Sequence, residues 1–301
     1  MYDIVIIGSG PAGLSSAIYA QRAGLKAVVV EKNYLGTGQI SESERVDNYP
    51  GLYGENGFDL GEKFRSHAES LGTEFIEGEA VKISKNTTDY IIELDNGNSL
   101  ETHTVIYAVG TERRKLQVEG EKEFSGRGVS YCAVCDAAFY KDKITAVAGG
   151  GDTALGDAAL LSKFAKKVYL IHRRDKFRAN KTLQQKVENI SNVEILLNSQ
   201  IKKINGSNKV ESITVDKNGA EAEIKVDGVF VAVGSVPNSA ILKDLVEVDN
   251  NGYIVANEDG VTSANGIFVA GDVRTKKLRQ VVTAVSDGAN CVLSAEDYLE
   301  K

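Results

Sequence analysis

The sequence predicts an α/β fold of two three-layer domains, each a parallel sheet carrying a small antiparallel meander, with the second domain inserted into the first. Two segments share one order of buried strand, glycine-rich turn and helix: YDIVIIGSGPAGLSSAIYAQRAG from Tyr2 and KITAVAGGGDTALGDAALLSKFA from Lys143. Each is followed by a short apolar strand, ending at Val30 and Ile171, which completes a βαβ unit. Each half then closes on a matching run, TVIYAVG ending at Gly110 and GVFVAVG ending at Gly234. Between these lie strand-like stretches broken at Asn96-Gly97, Asn205-Gly206 and Asn218-Gly219, which read as hairpin turns.

A chain of 301 residues exceeds what one hydrophobic core usually serves, which agrees with the duplication. The strand GIFVAGD, from Gly266 to Asp272, and the helix after it have no counterpart in the repeat. They are expected to return to the first domain. The reading is residues 1–114 and 242–301 for one domain and 115–241 for the other. TERRKLQVEGEKE and VPNSAILKD are then linkers about which the domains turn as units.

Composition narrows the function classes. Apolar residues make up 42% and charged residues 26%, with three prolines, so core material is ample and disorder is not indicated. A net charge of -7 with dispersed basic residues argues against a nucleic-acid-binding face. No apolar run approaches the roughly 18 residues of a membrane span, and Met1 leads directly into Ile4–Ile7 without a basic stretch, so a cytoplasmic protein is expected. Three cysteines are too few for a secreted disulfide scaffold. Cys291, within ANCVLSA, reads as a small core residue.

GSGPAG follows a strand and opens a helix, and Glu31 ends the next strand 18 residues beyond Gly13. That context is the dinucleotide fingerprint of a Rossmann-like unit. Gly8 permits the tight turn, Gly10 lets backbone approach a pyrophosphate, Gly13 lets helix and strand pack closely, and Glu31 accepts from ribose hydroxyls. The second copy places Gly149, Gly151 and Ala154 at the three positions, but its second strand runs into HRRDKFRA instead of an acid. Arg173, Arg174 and Arg178 there suit a 2′-phosphate, which an acid would repel, so the second site asks for NADPH.

Cys132 and Cys135, in CAVC, precede the second nucleotide-binding strand and have the spacing of a redox pair. A zinc site needs more ligands, and there is no second CxxC, nor any ligand spacing among His67, His103 and His172. Asp136 adjoins the thiols and can exchange the proton that disulfide chemistry consumes, unless it is an ordinary surface aspartate.

GSGPAG, GRGVSYCAVCD, GGGDTA, HRRDKFRA and GIFVAGDV followed by RQVVTA together span nearly the whole chain. In these motifs the sequence resembles the low-molecular-weight, bacterial-type thioredoxin reductases. The resemblance implies an FAD site in which Asp272 meets the ribitol, Arg279 and Gln280 lie beside the isoalloxazine, and Gln39 and Asn48 add contacts. Ser9, Pro11, Ala12, Lys32, Gly38, Val81, Gly110 and Val281 complete the candidate flavin set. Asp152, Thr153, His172 and Gly234 join the three arginines and the glycine loop in the candidate NADPH set. The resemblance further implies a homodimer, thioredoxin or a thioredoxin-like protein as acceptor, Cys135 as the flavin-side sulfur and Cys132 as the interchange nucleophile. Two positions depart from the family pattern: Thr37 stands in a usual Gly-Gly pair, and Ala137 follows Asp136 where glycine is usual. The second bears on the loop that meets the protein substrate.

Two rival readings remain. A ferredoxin-dependent relative would lack an intact pyridine-nucleotide fingerprint, whereas GGGDTA and all three arginines are present. A non-catalytic flavin-binding redox sensor has no need of an NADPH site beside its dithiol.

Overall fold

The computed structural model describes residues 1–33, 36–43 and 45–301. The chain divides into two compact units, Met1–Glu112 with Val236–Lys301, and Arg113–Ser235. The second crossing therefore falls six residues before the sequence-derived boundary at 241. The cause is packing: Leu242 and Val246 are buried in the first unit's core, and the Tyr107 hydroxyl donates to Asn238 O at 2.6 Å. Within VPNSAILKD, Pro237, Ser239 and Leu242 are buried while Val236, Ala240, Lys243 and Asp244 are exposed, so the stretch is anchored to the first unit at intervals.

The first unit runs β1 (Tyr2–Ile7), α1 (Pro11–Arg22), β2 (Ala27–Glu31), α2 (Gly57–Ser70), β3 (Glu74–Glu77), β4 (Ala80–Asn86), β5 (Asp89–Leu94) and β6 (Ser99–Tyr107). A crossing strand, β7 (Thr111–Arg113), leads out of it. The second unit runs β8 (Val129–Ser130), α3 (Ala133–Asp136), β9 (Ile144–Ala148), α4 (Asp152–Leu161), β10 (Lys167–Ile171), α5 (Lys181–Glu188) and β11 (Val193–Leu196). It continues through β12 (Ser199–Gly206), β13 (Val210–Lys217), β14 (Ala220–Lys225) and β15 (Gly228–Val231). The return crossing is β16 (Ser235–Pro237), followed by β17 (Ile267–Val269) and α6 (Val281–Leu299).

The first sheet has the order β3-β2-β1-β6-β5-β4, with β17 also paired to β6. β1 is buried because alternate residues face different layers: Ile4 and Ile6 pack with α1 and α6 residues, Val5 and Ile7 with Leu242 and Ile254. The second sheet has the order β11-β10-β9-β15-β8. Its Val147 and Leu170 face Leu155 and Leu161 of α4, while Ala146 and Val229 face Ile201 and Ile213 of a separate antiparallel sheet, β12-β13-β14. Both units are thus three-layered. In the first the meander shares β6 with the parallel sheet, whereas in the second it is a sheet of its own.

Asn218-Gly219 turns β13 into β14 with φ of 54° and 87°, the positive pair that a two-residue hairpin requires. Asn205-Gly206 is not the turn that the sequence suggested. It ends β12 at a register shift, and a Cβ at Gly206 would stand 1.9 Å from Lys209 O.

Burial on α4 pushes the Asp157 carboxyl up to about 7 from 3.8. A raised carboxyl pKa withdraws stability as pH rises from the unfolded value to the folded one. Asp157→Asn should therefore match the parent near pH ~4 and gain on it toward pH ~8, by at most about 2–4 kcal/mol. Melting temperatures across that range check this; a constant difference would contradict it.

Candidate functional site

Both glycine loops are built by close approach. Gly8 has φ of 100°, and a Cβ there would stand 2.7 Å from Ala108 O. A Cβ at Gly13 would stand 1.8 Å from Gly8 O, so α1 can lie this near β1 only without one. Gly10 is the N-cap of α1, supplies no side-chain cap and is followed by Pro11. The first-turn amides are thereby left to an anion, and the helix dipole favours one. At the end of β2 the Glu31 carboxylate accepts from Ser9 N at 2.9 Å, Ser9 Oγ at 2.8 Å and Asn33 N at 3.0 Å. These bonds hold it at the mouth of the loop and leave it lone pairs for hydroxyl donors.

Distant segments converge on that loop. A Cβ at Gly38 would meet Gly10 Cα at 2.9 Å, and a Cβ at Gly271 would meet Ala12 Cβ at 3.1 Å. Gln280 caps α6 in a reciprocal capping box with Thr283, and its Oε1 accepts from Asn48 Nδ2 at 2.8 Å. Val281 is the first residue of α6. Arg279 lies 4.1 Å over the Tyr253 ring and donates to Asp272 O at 3.2 Å and Arg274 O at 3.3 Å. The Gln39 amide donates to Thr111 O. Gly110, φ 65°, lies three residues beyond β6 and accepts from Asn238 N. Lys32 stands 4.0 Å from Glu79, and Val81 is exposed on β4. Among the described residues no hydrogen bond or ion pair ties the side chain of either of these last two to the glycine loop.

In the second loop Gly149 lies against β15, where a Cβ would stand 2.3 Å from Ala232 O and 2.7 Å from Ala154 Cβ. Gly151 is the N-cap of α4, again without a side-chain cap, and a Cβ there meets nothing within 4 Å. Space thus remains over the helix start, beside exposed Thr153. The His172 ring packs under Gly150, whose Cβ would stand 2.2 Å from Nδ1, and its Nε2 faces Lys176 O at 3.1 Å. Burial lowers the His172 pKa, and Arg174, Arg178 and Arg173 add to this against the opposing hydrogen bond to Lys176 O.

Arg173, Arg174 and Arg178 are exposed beyond β10, and Arg178 N donates to Gly150 O at 2.7 Å, which brings this segment onto the loop. None of the three pairs with an acid among the described residues. Asp152 Oδ1 accepts from Asn180 N and Nδ2 at 2.8 Å each. Asn180 in turn caps α5 through Leu183 N. Gly234, φ 105°, follows β15 by three residues as Gly110 follows β6, and accepts from Arg114 N at 3.0 Å.

Cys132 and Cys135 form a disulfide across the single turn of α3, with Cα atoms 5.3 Å apart. Cys135 N also donates to Cys132 Sγ at 3.2 Å. Sequence reasoning missed Ser130, buried at the end of β8. Its hydroxyl donates to Asp136 Oδ2 at 2.5 Å and accepts from Cys132 N at 3.1 Å, tying the acid to the cysteine backbone. It missed Glu121 as well, which is 3% exposed and accepts from Leu116 N, Gln117 N and the Tyr131 hydroxyl. No spacing in the sequence marks either residue.

Two uncapped glycine-led helices in duplicate units, one beside a CxxC disulfide, define a nucleotide-dependent disulfide oxidoreductase. The family model for pyridine nucleotide-disulphide oxidoreductases matches residues 2–288, and the chain belongs to that family. Among its relatives, the thioredoxin reductase of Mycoplasma genitalium is 42% identical over 99% of this chain and 95% of its own length. That of Bacillus subtilis is 42% identical over 100% and 96%. The crystal structure of thioredoxin reductase from Streptococcus pyogenes MGAS5005 superposes with a TM-score of 0.94 at 40% identity, covering 100% of this chain and 98% of that one. Among the described residues no helix is long and apolar enough to cross a membrane.

Proposed function

We propose that the chain is an NADPH- and FAD-dependent thioredoxin-disulfide reductase, acting as a homodimer. The observation that carries this is the Cys132–Cys135 disulfide in the same unit as a glycine loop joined, through Arg178 N and Gly150 O, by a segment whose three arginines have no acid partner among the described residues. The donor sets fit the two cofactors. The GSGPAG loop with Glu31, Gln39, Asn48, Asp272, Arg279 and Gln280 would hold FAD. The GGGDTA loop with Arg173, Arg174 and Arg178 would hold NADPH, the arginines taking its 2′-phosphate. Together the bound cofactors supply an electron pair, as hydride from the nicotinamide and onward from the flavin.

The chain's own residues do the rest. Reduction of the disulfide leaves two thiols. Cys132, as thiolate, attacks a sulfur of the thioredoxin disulfide and forms a mixed disulfide. Cys135 then attacks Cys132 Sγ, which releases reduced thioredoxin and restores the Cys132–Cys135 bond. Asp136, oriented by Ser130, gives and takes the proton at the Cys132 sulfur. β7 and β16 pair with each other where the chain crosses between units. We assign them as the hinge that lets the dithiol serve the flavin and the protein substrate in turn.

The test is NADPH consumption by the purified yellow protein with and without a thioredoxin. Steady consumption only with thioredoxin supports the reading, and a single flavin-limited burst would mark a sensor instead. Ser130→Ala should lower turnover about 10-fold through misplacement of Asp136, and Ser130→Thr should recover most of it. Equal turnover in the parent and Ser130→Ala would remove the hydroxyl from the mechanism.

A further inference from the structure

The segment Gly271–Gln280 joins β17 to α6 and carries Asp272, Arg279 and Gln280. Its hold comes from one residue of α6 that the mechanism has not used. Asp287, 3% exposed, accepts through Oδ2 from Gly271 N at 2.9 Å and Arg274 Nε at 2.9 Å, and through Oδ1 from Arg274 Nη2 at 2.8 Å. The Lys276 ammonium adds a further bond to Oδ2 at 2.7 Å. The side chains of Arg274, Lys276 and Asp287 are 3%, 5% and 5% exposed.

Burying two cations on one carboxylate is expensive, and it is tolerated where hydrogen bonding is complete. Here it is extensive: Arg274 Nη1 also donates to Thr275 O at 3.1 Å, Nη2 to the exposed Glu258 at 3.1 Å, and Lys276 Nζ to Thr283 O at 3.3 Å. Arg279 folds back on Asp272 O and Arg274 O. Residues 271, 274 and 276 are thus fixed to α6, and 279 to the fixed part. α6 is itself keyed to the first glycine loop, because a Cβ at Gly288 would stand 2.2 Å from Ala12 O.

We propose that Asp287 is a positioning residue for the flavin, pre-forming the Asp272–Gln280 segment against the GSGPAG loop so that FAD docks on a surface already in place. This rests on the assignment of FAD to the first unit. A purely structural cluster would support the fold and leave cofactor docking alone. A positioning clamp keeps the binding-competent fraction near unity, so that its loss lowers apparent affinity in proportion to that fraction. The loss falls on the association rate, because contacts in the completed complex are unchanged.

The experiment strips FAD from the full-length chain, adds it back and follows quenching of flavin fluorescence. In Asp287→Asn, FAD uptake should slow about 10- to 100-fold with release changed less than about twofold. Binding of NADP to the second unit and the far-UV circular dichroism of the stripped chain should both match the parent, which shows that the second unit and the first are each folded. Uptake at the parental rate, or a loss confined to release, overturns the proposal. Failure of the parent itself to take up FAD overturns the FAD assignment instead. Should Asp287→Asn not fold, Lys276→Met decides: it keeps the Arg274–Asp287 pair and should slow uptake about threefold, and an unchanged rate overturns the clamp.

Discussion

Replacing Arg173 and Arg174 together by Gln is expected to erase most of the preference for NADPH over NADH. Both guanidinium groups are exposed at the end of β10 with no acid partner among the described residues, so their charge is available to a ligand. A charge-assisted hydrogen bond to a phosphate is worth about 1.5–3 kcal/mol. Each arginine lost should then cost about 10- to 150-fold in NADPH efficiency. NADH carries no 2′-phosphate, so its efficiency should change little. The ratio of kcat/KM for the two nucleotides is the measurement. The preference should also weaken with salt in the parent and less so in the variant, since exposed charges are screened. An unchanged ratio in the double variant would make the arginines a solvated face and leave Arg178 and the loop amides to explain any preference.

How far the sequence could be read follows from how local each constraint is. Gly8, Gly13 and Gly149 were legible because only a missing Cβ permits the approach that the strand–turn–helix demands, and that requirement leaves a fixed spacing. Cys132 and Cys135 were legible because a disulfide closed across one helical turn likewise leaves a fixed spacing. The insertion was legible in part: β17 pairs with β6, but residues 236–241 proved to belong to the first unit because Leu242 and Tyr107 anchor them. Asn205-Gly206 misled because Asn-Gly marks a local bend without saying whether that bend is a turn or a strand irregularity. Asp152 Oδ1 also holds Asn180, 28 residues on, a contact that no local spacing announces. Ser130, Glu121 and Asp287 left no sequence signal, since each acts through backbone amides and side chains that only the fold brings near.

Changing either cysteine of the disulfide to serine should abolish thioredoxin reduction, yet the two variants should differ in colour. Exchange requires one sulfur to attack the substrate disulfide and the other to resolve the mixed disulfide, so a single thiol stops after one bond. Steady turnover should fall about 1,000-fold or more in both, because no other group of the chain can take the missing sulfur's place. Cys291 offers no substitute: it is buried, and burial pushes its thiol far above the usual range. Both variants should still accept reducing equivalents from NADPH, because that transfer comes before sulfur chemistry. Cys132→Ser leaves Cys135, read as the flavin-side sulfur, whose thiolate beside the oxidised flavin should give a long-wavelength absorption shoulder. That shoulder should grow with pH as the thiol ionises. Cys135→Ser should lack the shoulder and keep a Cys132 thiol that reacts with an added aromatic disulfide. Spectra, thiol titration and coupled turnover on each variant make the comparison. A shoulder in Cys135→Ser instead would exchange the two roles, and parental turnover in either variant would remove the disulfide from the reaction.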